Sequence, residues 1–324
     1  MEKAYEFHIS GGLTKTDEVI RIARKLRTYG KRITLHAYDT VQGMQWNGGR
    51  LIFNDQFAQD ANRSHHSDVT IENPQLALER VARLNDEGIS FNLTFNNTLE
   101  SIDLDDEVGN YLLARLHNDM NSVTVATESL RRHVASNFPK YNVIASICMV
   151  LSQMDECVEA CKRFDEVVML PIFAYQPELL PSLPLDKLIF LINDLCHIFC
   201  LRKDHYDYIS RCSLSGNSTY EEQMYNLSQA KCFCRAVPGY GNRVRHESDR
   251  EVNARVNRIW QAQLAQEGRK IHDSGFNFNI TETARRELIR TGVTKFKLQG
   301  RDWNDADYQR QVVNFLESVV EHEL

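Results

Sequence analysis

PQLALERVARLNDEGISFNLTF, residues 74–95, is the stretch that decides the fold. Apolar residues recur at helical spacing over residues 74–87, Pro74 stands in the first turn, and Gly88 follows at the position where glycine commonly ends a helix. Residues 90–95 then form a short apolar and aromatic run, which predicts a strand. A helix followed directly by a strand is the repeating unit of α/β proteins.

The same rhythm extends over almost the whole chain. Eight short runs predict strands at residues 5–10, 33–38, 90–95, 122–127, 142–148, 166–170, 188–193 and 294–298. Helical patterns lie at residues 16–29, 74–87, 105–120, 128–138, 154–163, 281–291 and 306–322. Eight strands separated by helices predict an α/β fold, a (β/α)8 TIM-type barrel, with an open doubly wound sheet as the alternative.

Two segments interrupt this rhythm within a single predicted domain of residues 1–324. They cover about residues 41–73 and 195–275, and the second carries most of the cysteines and follows the seventh strand. Each begins beyond the carboxyl end of a strand, where barrel enzymes build their sites from loops. We therefore expect functional residues in or beside these insertions.

The composition excludes several classes of protein. Of the 324 residues, 42% are hydrophobic and 25% charged, as in ordinary globular proteins, and the net charge of -6 argues against binding to bulk DNA. No apolar run approaches the roughly 20 residues of a membrane helix. The amino-terminal residues have no signal-peptide pattern, so we predict a cytoplasmic protein.

The cysteines cluster in the second insertion. Cysteines of a cytoplasmic chain are expected to be reduced, and five in one polar segment are more typical of a metal centre than of core packing. The predicted metal ligands are Cys196, Cys200, Cys212, Cys232 and Cys234. The other three, Cys148, Cys157 and Cys161, are predicted to be buried packing residues.

The spacing of these cysteines favours iron–sulfur over zinc. Cys196 and Cys200 form a Cys-x3-Cys pair just after a strand, and the pair could share a cluster with thiolates from later in the segment. Zinc remains the alternative, because His197 and His205 lie in the same segment. A Cys-x2-Cys hairpin, which zinc fingers usually use, is absent from it.

Polar residues near the ends of predicted strands form a second group of candidates. Buried polar side chains cost free energy unless they are paired, so several in one barrel indicate a site. The predicted catalytic residues are His36, Asn96 and Glu128, and the predicted substrate-binding residues are His8, Asn92, Arg50 and Arg301. Glu128 has an alternative role as the first-turn acid of the helix that follows it.

Residues 193–206 (NDLCHIFCLRKDHY) and 292–301 (GVTKFKLQGR) resemble segments of the collagenase-like peptidase family. That family carries a cysteine-bearing insertion after a late barrel strand, and Gln299 stands where its later segment usually has glutamate. The resemblance implies a four-iron four-sulfur cluster (4Fe-4S) and oxygen-independent hydroxylation, since members include hydroxylation factors for ubiquinone and for RNA. Cys196 and Cys200 match the cluster residues best.

Three functions are open at this point. The favoured one is an iron–sulfur barrel enzyme that modifies a polar small molecule or an RNA base by redox chemistry. The second is a non-catalytic subunit in which the metal only stabilises the structure of the insertion and the barrel binds a protein partner. The third is a metal-free barrel lyase, for which Lys295 and Lys297 are the Schiff-base candidates.

Overall fold

The protein is described here from a computed structural model. The structure describes residues 4–28, 33–41, 44–48, 73–194, 203–212, 219–230, 248–269, 278–300 and 305–321. Ten strands lie in these ranges: β1 (Tyr5–Ser10), β2 (Ile33–Asp39), β3 (Ser90–Phe95), β4 (Ser122–Val125), β5 (Asn142–Ala145), β6 (Glu166–Met169), β7 (Leu188–Leu191), β8 (Asn193–Asp194), β9 (Phe278–Asn279) and β10 (Lys295–Leu298).

Eight of these strands form a closed parallel barrel. Their order around the barrel is β1, β10, β7, β6, β5, β4, β3 and β2, so β1 pairs with both β2 and β10. This confirms the predicted (β/α)8 fold. Aromatic side chains pack on the outside of the barrel where β1 meets β10. Phe7 of β1 and Phe296 of β10 stack with ring centroids 6.0 Å apart, and Phe315 lies edge-on against both rings.

Helices surround the barrel. They are α1 (Thr16–Arg27), α2 (Pro74–Asp86), α3 (Glu107–Arg115), α4 (Glu128–Asn137), α5 (Met154–Arg163), α6 (Lys203–Cys212), α7 (Tyr220–Ala230), α8 (Asp249–Gln266), α9 (Glu282–Thr291) and α10 (Asp305–Glu321). Within the described residues, none of them is long and apolar enough to cross a membrane.

Local signals explain where several helices begin and end. The side chains of Asn73 and Thr281 accept hydrogen bonds from Leu76 and Ala284, as N-cap residues of α2 and α9. α3 is shorter than the predicted 105–120, because the Asn118 side chain accepts hydrogen bonds from the backbone at Met120 and Asn121 and so turns the chain. Strand positions were predicted within a few residues.

The long insertion does follow the seventh strand, as predicted. Its described parts contain α6, α7 and α8, and the antiparallel pair of β8 and β9 flanks it on both sides. None of these was predicted as a separate element. Helices inside an insertion have no strand partner in the β/α repeat, so the alternation of strands and helices did not reveal them. The outer limits of both insertions and the single-domain organisation remain predictions.

The described part of the first insertion packs tightly against α3. Residues Gln45–Asn47 form a 3-10 turn that buries Trp46 completely, and the Trp46 indole N–H donates to the carbonyl of Asp103 at 2.7 Å. The indole lies so close to Gly109 that a Cβ there would come within 2.4 Å of the ring. Glycine is therefore required on this face of α3.

Candidate functional site

The interior of the barrel has one apolar and one polar half. Strand residues that face outward, such as Phe7, Leu35 and Phe91, join the large core beneath the helices. The inward residues of β5, β6 and β7 form a separate apolar cluster of Ile144, Val168, Ile189 and Leu191. Side chains alternate between the two faces of a strand, which assigns the inward positions of β10, β1, β2, β3 and β4. The polar half is lined by the inward residues Glu6, His8, Ser10, His36, Tyr38, Asn92, Thr94, Ser122, Thr124, Lys295 and Lys297.

Two predicted site residues meet in this polar half. His8 and His36 are register partners on β1 and β2, and their rings stack with centroids 4.5 Å apart and planes 8° apart. Burial lowers the pKa of His8 well below its usual value, and the nearby His36, Lys297 and Lys295 lower it further. His8 is therefore neutral at neutral pH.

His36 is oriented by its neighbours. Its Nδ1 lies 2.5 Å from the hydroxyl oxygen of Ser90 on β3, and its Nε2 lies 3.5 Å from Oε2 of Glu6. Neither the Nε2 of His8 nor that of His36 has a hydrogen-bond partner among the described residues. Buried polar atoms without partners are rare in native proteins and indicate a strained or functional site.

A charge network lies at the amino-terminal end of the barrel interior. Lys295, the first residue of β10, is ion-paired with Glu166 of β6 and lies 3.4 Å from Glu6 of β1. Glu166 also accepts a hydrogen bond from the Asn142 side chain at 2.8 Å. Burial alone would lower the pKa of Lys295, but the two carboxylates raise it, so this lysine is a cation and not a free nucleophile.

Sequence reasoning did not select Glu6 or Glu166 as site residues. Each is a single acidic residue at the start of an apolar strand, where the pattern gives no sign that the two meet. Burial alone would raise the pKa of Glu6, but His36 and Lys295 lower it, so Glu6 is an ionised carboxylate at neutral pH.

Asn92 lies in β3 and Asn96 directly after it, and their surroundings differ. The Asn92 side chain donates to the Ser122 hydroxyl at 2.7 Å and accepts from the Thr124 hydroxyl at 2.8 Å, and it thereby ties β3 to β4. Asn96 follows β3 at the carboxyl end of the barrel, is half-buried, and accepts from the Ser146 hydroxyl at 2.7 Å. Asn92 belongs to the polar wall and Asn96 to its rim.

Lys297 supplies a second interior cation above the charge network. Its side chain is buried, and its Nζ lies 4.1 Å from the centre of the Tyr38 ring. The Tyr38 hydroxyl donates to the carbonyl of Leu298 at 2.8 Å, which fixes the ring beneath the ammonium. A cation held against an aromatic face inside a barrel is suited to an anionic or carbonyl group of a ligand.

Glu128 does not join the interior residues. It is the first residue of α4, and its carboxylate accepts hydrogen bonds from the guanidinium of Arg131 at 2.6 and 3.0 Å. Glu100 in turn accepts from the backbone N–H groups of Glu128 and Ser129, which caps the same helix end. These are the contacts of a first-turn acid, and the catalytic role of Glu128 remains a prediction without structural support.

Most of the remaining predicted site residues lie outside the part of the chain that the structure describes. Arg50, Arg301, Cys196, Cys200, Cys232 and Cys234 lie outside the described residues, and of Cys212 only the backbone is described, at the end of α6. The three cysteines predicted as packing residues are buried. Burial raises the pKa of the Cys157 thiol to about 12, so it is an inert thiol at neutral pH.

The described ends of the cysteine-bearing insertion are fixed to the carboxyl rim. Asn193 of β8 exchanges two hydrogen bonds with the backbone of Gln299, at 3.0 and 2.8 Å, directly beyond β10. Across the rim, the hydroxyl of Thr98 donates to Asp207 of α6 at 2.6 Å, and its backbone N–H donates to the Ser210 hydroxyl at 3.0 Å.

Comparisons with known proteins do not assign an activity to the chain. No protein-family model matches the chain, and no curated protein matches it. Among solved structures, the U32 peptidase Mk0906 is similar with a TM-score of 0.47 and 10% identity, over 93% of this chain and 94% of that one. At this level the similarity gives no information about activity.

Proposed function

We propose that this chain is an iron–sulfur barrel enzyme that modifies a polar small molecule or an RNA base by redox chemistry. The observation that carries the proposal is the meeting of two features at the carboxyl rim. The polar half of the barrel extends to that rim at the half-buried Asn96, and the described segments of the cysteine-bearing insertion are hydrogen-bonded there through Asn193 and Thr98. Barrel enzymes place their sites at this end.

The barrel interior would bind the substrate. Lys297 against Tyr38 offers a cation for an anionic or carbonyl group, and Asn96 offers an amide at the rim. On the opposite side, Ile144 and Leu191 offer an apolar surface. A ring-shaped ligand with polar substituents on one side fits an interior with one polar and one apolar half, because each side of the ligand then meets groups of its own polarity.

The cluster would be held by Cys196 and Cys200, with further thiolates from among Cys212, Cys232 and Cys234. The backbone position of Cys212 supports this, because α6 ends there after being anchored on the rim by Asp207 and Ser210. When bound, an iron–sulfur cluster supplies single-electron transfer, and its potential depends on the hydrogen bonds and solvent around it. The resemblance to the collagenase-like peptidase family supports oxygen-independent hydroxylation as the reaction.

Metal analysis of anaerobically purified protein is the test. We expect several iron atoms and matching acid-labile sulfide per chain, and loss of both in a Cys196→Ser/Cys200→Ser variant. Cys161→Ala is the matched control, because Cys161 is a buried packing residue on α5. Stoichiometric zinc without iron, or unchanged iron in the double variant, would refute the iron–sulfur proposal.

The two rival functions make different predictions. A metal-stapled, non-catalytic subunit would tolerate substitution of interior residues, so a folded Lys297→Met variant would keep partner binding and any cellular function. A Schiff-base lyase would depend on Lys297, because Lys295 is held as a cation by Glu166. Borohydride trapping of a carbonyl ligand on Lys297 would favour the lyase.

A further inference from the structure

We propose that Glu6, His8 and His36 form a binding site for a divalent transition-metal ion, of the zinc or iron(II) kind. One ligand atom from each of the three residues lies within 4.8 Å of the other two. Two histidines and one carboxylate are the donor set of several zinc and non-haem iron(II) sites. This site lies toward the amino-terminal end of the barrel and is independent of the cysteine-bearing insertion at the carboxyl rim.

The histidine nitrogens are available as ligands. The Nε2 atoms of His8 and His36 are buried without a hydrogen-bond partner in the described part of the chain, and the Glu6 carboxylate lies 3.5 Å from that of His36. The Ser90 hydroxyl, 2.5 Å from Nδ1 of His36, can accept the proton on that nitrogen and leave the lone pair on Nε2. Such a partner on the second ring nitrogen is the usual support of a metal-bound histidine.

Glu6 is available because Lys295 has another partner. Glu166 is ion-paired with Lys295 and is itself oriented by Asn142, so the ammonium stays neutralised when Glu6 turns to a metal. Around the two histidines, the side chains of Glu6, Glu166 and Lys295 thus bring two acidic groups and one basic group together. This balance favours a bound cation.

The site has an entry path and needs a small adjustment. The side chains of Glu6 and His36 are 30% and 19% exposed, whereas His8 is 2% exposed, so solvent reaches the cluster on the side of Glu6 and His36. Metal–ligand bonds of about 2.0–2.2 Å allow ligand atoms no more than about 4.4 Å apart. Because the three ligand atoms already lie within 4.8 Å of one another, a small rotation of the side chains is enough to meet this limit.

Three protein ligands leave at least one coordination position open. A closed structural zinc site uses four protein ligands, whereas catalytic sites keep a position for water or substrate. The predicted occupant is thus a metal ion with bound water, exposed toward the amino-terminal opening of the barrel.

The experiment uses the full chain, purified anaerobically with any cysteine-bound metal in place, and Co²⁺ alone as the added probe. Calorimetry measures the affinity, and X-ray absorption at the cobalt edge reports only the ligands of the added ion. We expect one Co²⁺ bound through nitrogen and oxygen without sulfur. Glu6→Gln and His36→Gln should each weaken Co²⁺ binding at least tenfold. Competition with Zn²⁺ and Fe²⁺ then ranks the affinities of the site for these two ions.

The matched control is His117→Gln, which changes a half-buried histidine outside the barrel interior and should leave cobalt binding unchanged. Glu6→Gln keeps the size of a partly exposed side chain, so it remains informative if His36→Gln does not fold. Absence of cobalt binding, ligation by sulfur alone, or full affinity in the folded Glu6→Gln variant would overturn the proposal. None of these results depends on the iron content of the cysteine segment.

Discussion

The two halves of the barrel interior are held together by different forces. On the side of β5, β6 and β7, Ile144, Val168, Ile189 and Leu191 pack as a small apolar core. On the side of β10, β1 and β2, Lys295, Glu6 and the histidine pair replace that packing with charges and hydrogen bonds. Apolar packing is stable without specific partners, whereas a buried charge is stable only while its partner is present. The polar half is therefore where we expect a ligand to bind.

Removal of one charge should have the largest effect. Glu166→Ala would leave Lys295 buried with only the more distant Glu6, and breaking a buried ion pair typically costs about 3–5 kcal/mol. Urea unfolding should show this loss of stability. Glu159→Ala on α5, which removes an exposed ion pair with Lys162, is the control and should change stability by less than about 1 kcal/mol. Equal effects of the two substitutions would mean that the interior network is not stabilising.

Truncation in the apolar half should cost somewhat less. Ile189→Ala removes buried methyl groups from the centre of the apolar cluster, which should lower the unfolding free energy by about 2–5 kcal/mol. Ile189→Val should cost only about 0.5–1.5 kcal/mol, because it leaves a smaller cavity. Unlike Glu166→Ala, neither loss should depend on pH or salt. A strong salt dependence would contradict the division of the interior into two halves.

The smallest of the predicted effects near neutral pH should be the change of stability with pH that comes from His8. Because the folded pKa of His8 is lowered by burial and by His36, Lys297 and Lys295, the unfolded chain binds more protons below about pH 6.5. The contribution of His8 is complete above that pH and falls as the pH decreases toward the folded pKa. Unfolding in the presence of a chelator should show this slope.

A His8→Asn variant should lose that part of the acid slope, since asparagine does not titrate. His117→Asn, outside the barrel interior, should keep it. An unchanged slope in His8→Asn would show that His8 is not buried as a neutral residue.

Much of the barrel was predictable because each element carries its own signal. Residues 74–95 alone contain a proline start, a glycine end and a strand, and the capping side chains of Asn73 and Thr281 act within three residues of their partners. The polar strand residues His8, His36 and Asn92, which were predicted as site residues, all face the interior, and their roles remain predictions. Glu128 was grouped with them, although its contacts are those of a helix start.

By itself, the sequence determined the order of the eight barrel strands and of the helices that alternate with them, and the position of the insertion after the seventh strand, since these depend on local hydrophobic period and on turns. Only the tertiary structure decided that Glu6, Glu166 and Lys295 form one network and that two histidines stack beside it. Alternation along a strand indicates which face a side chain occupies. The distance across a closed barrel depends on register and closure, which no single segment of the chain specifies.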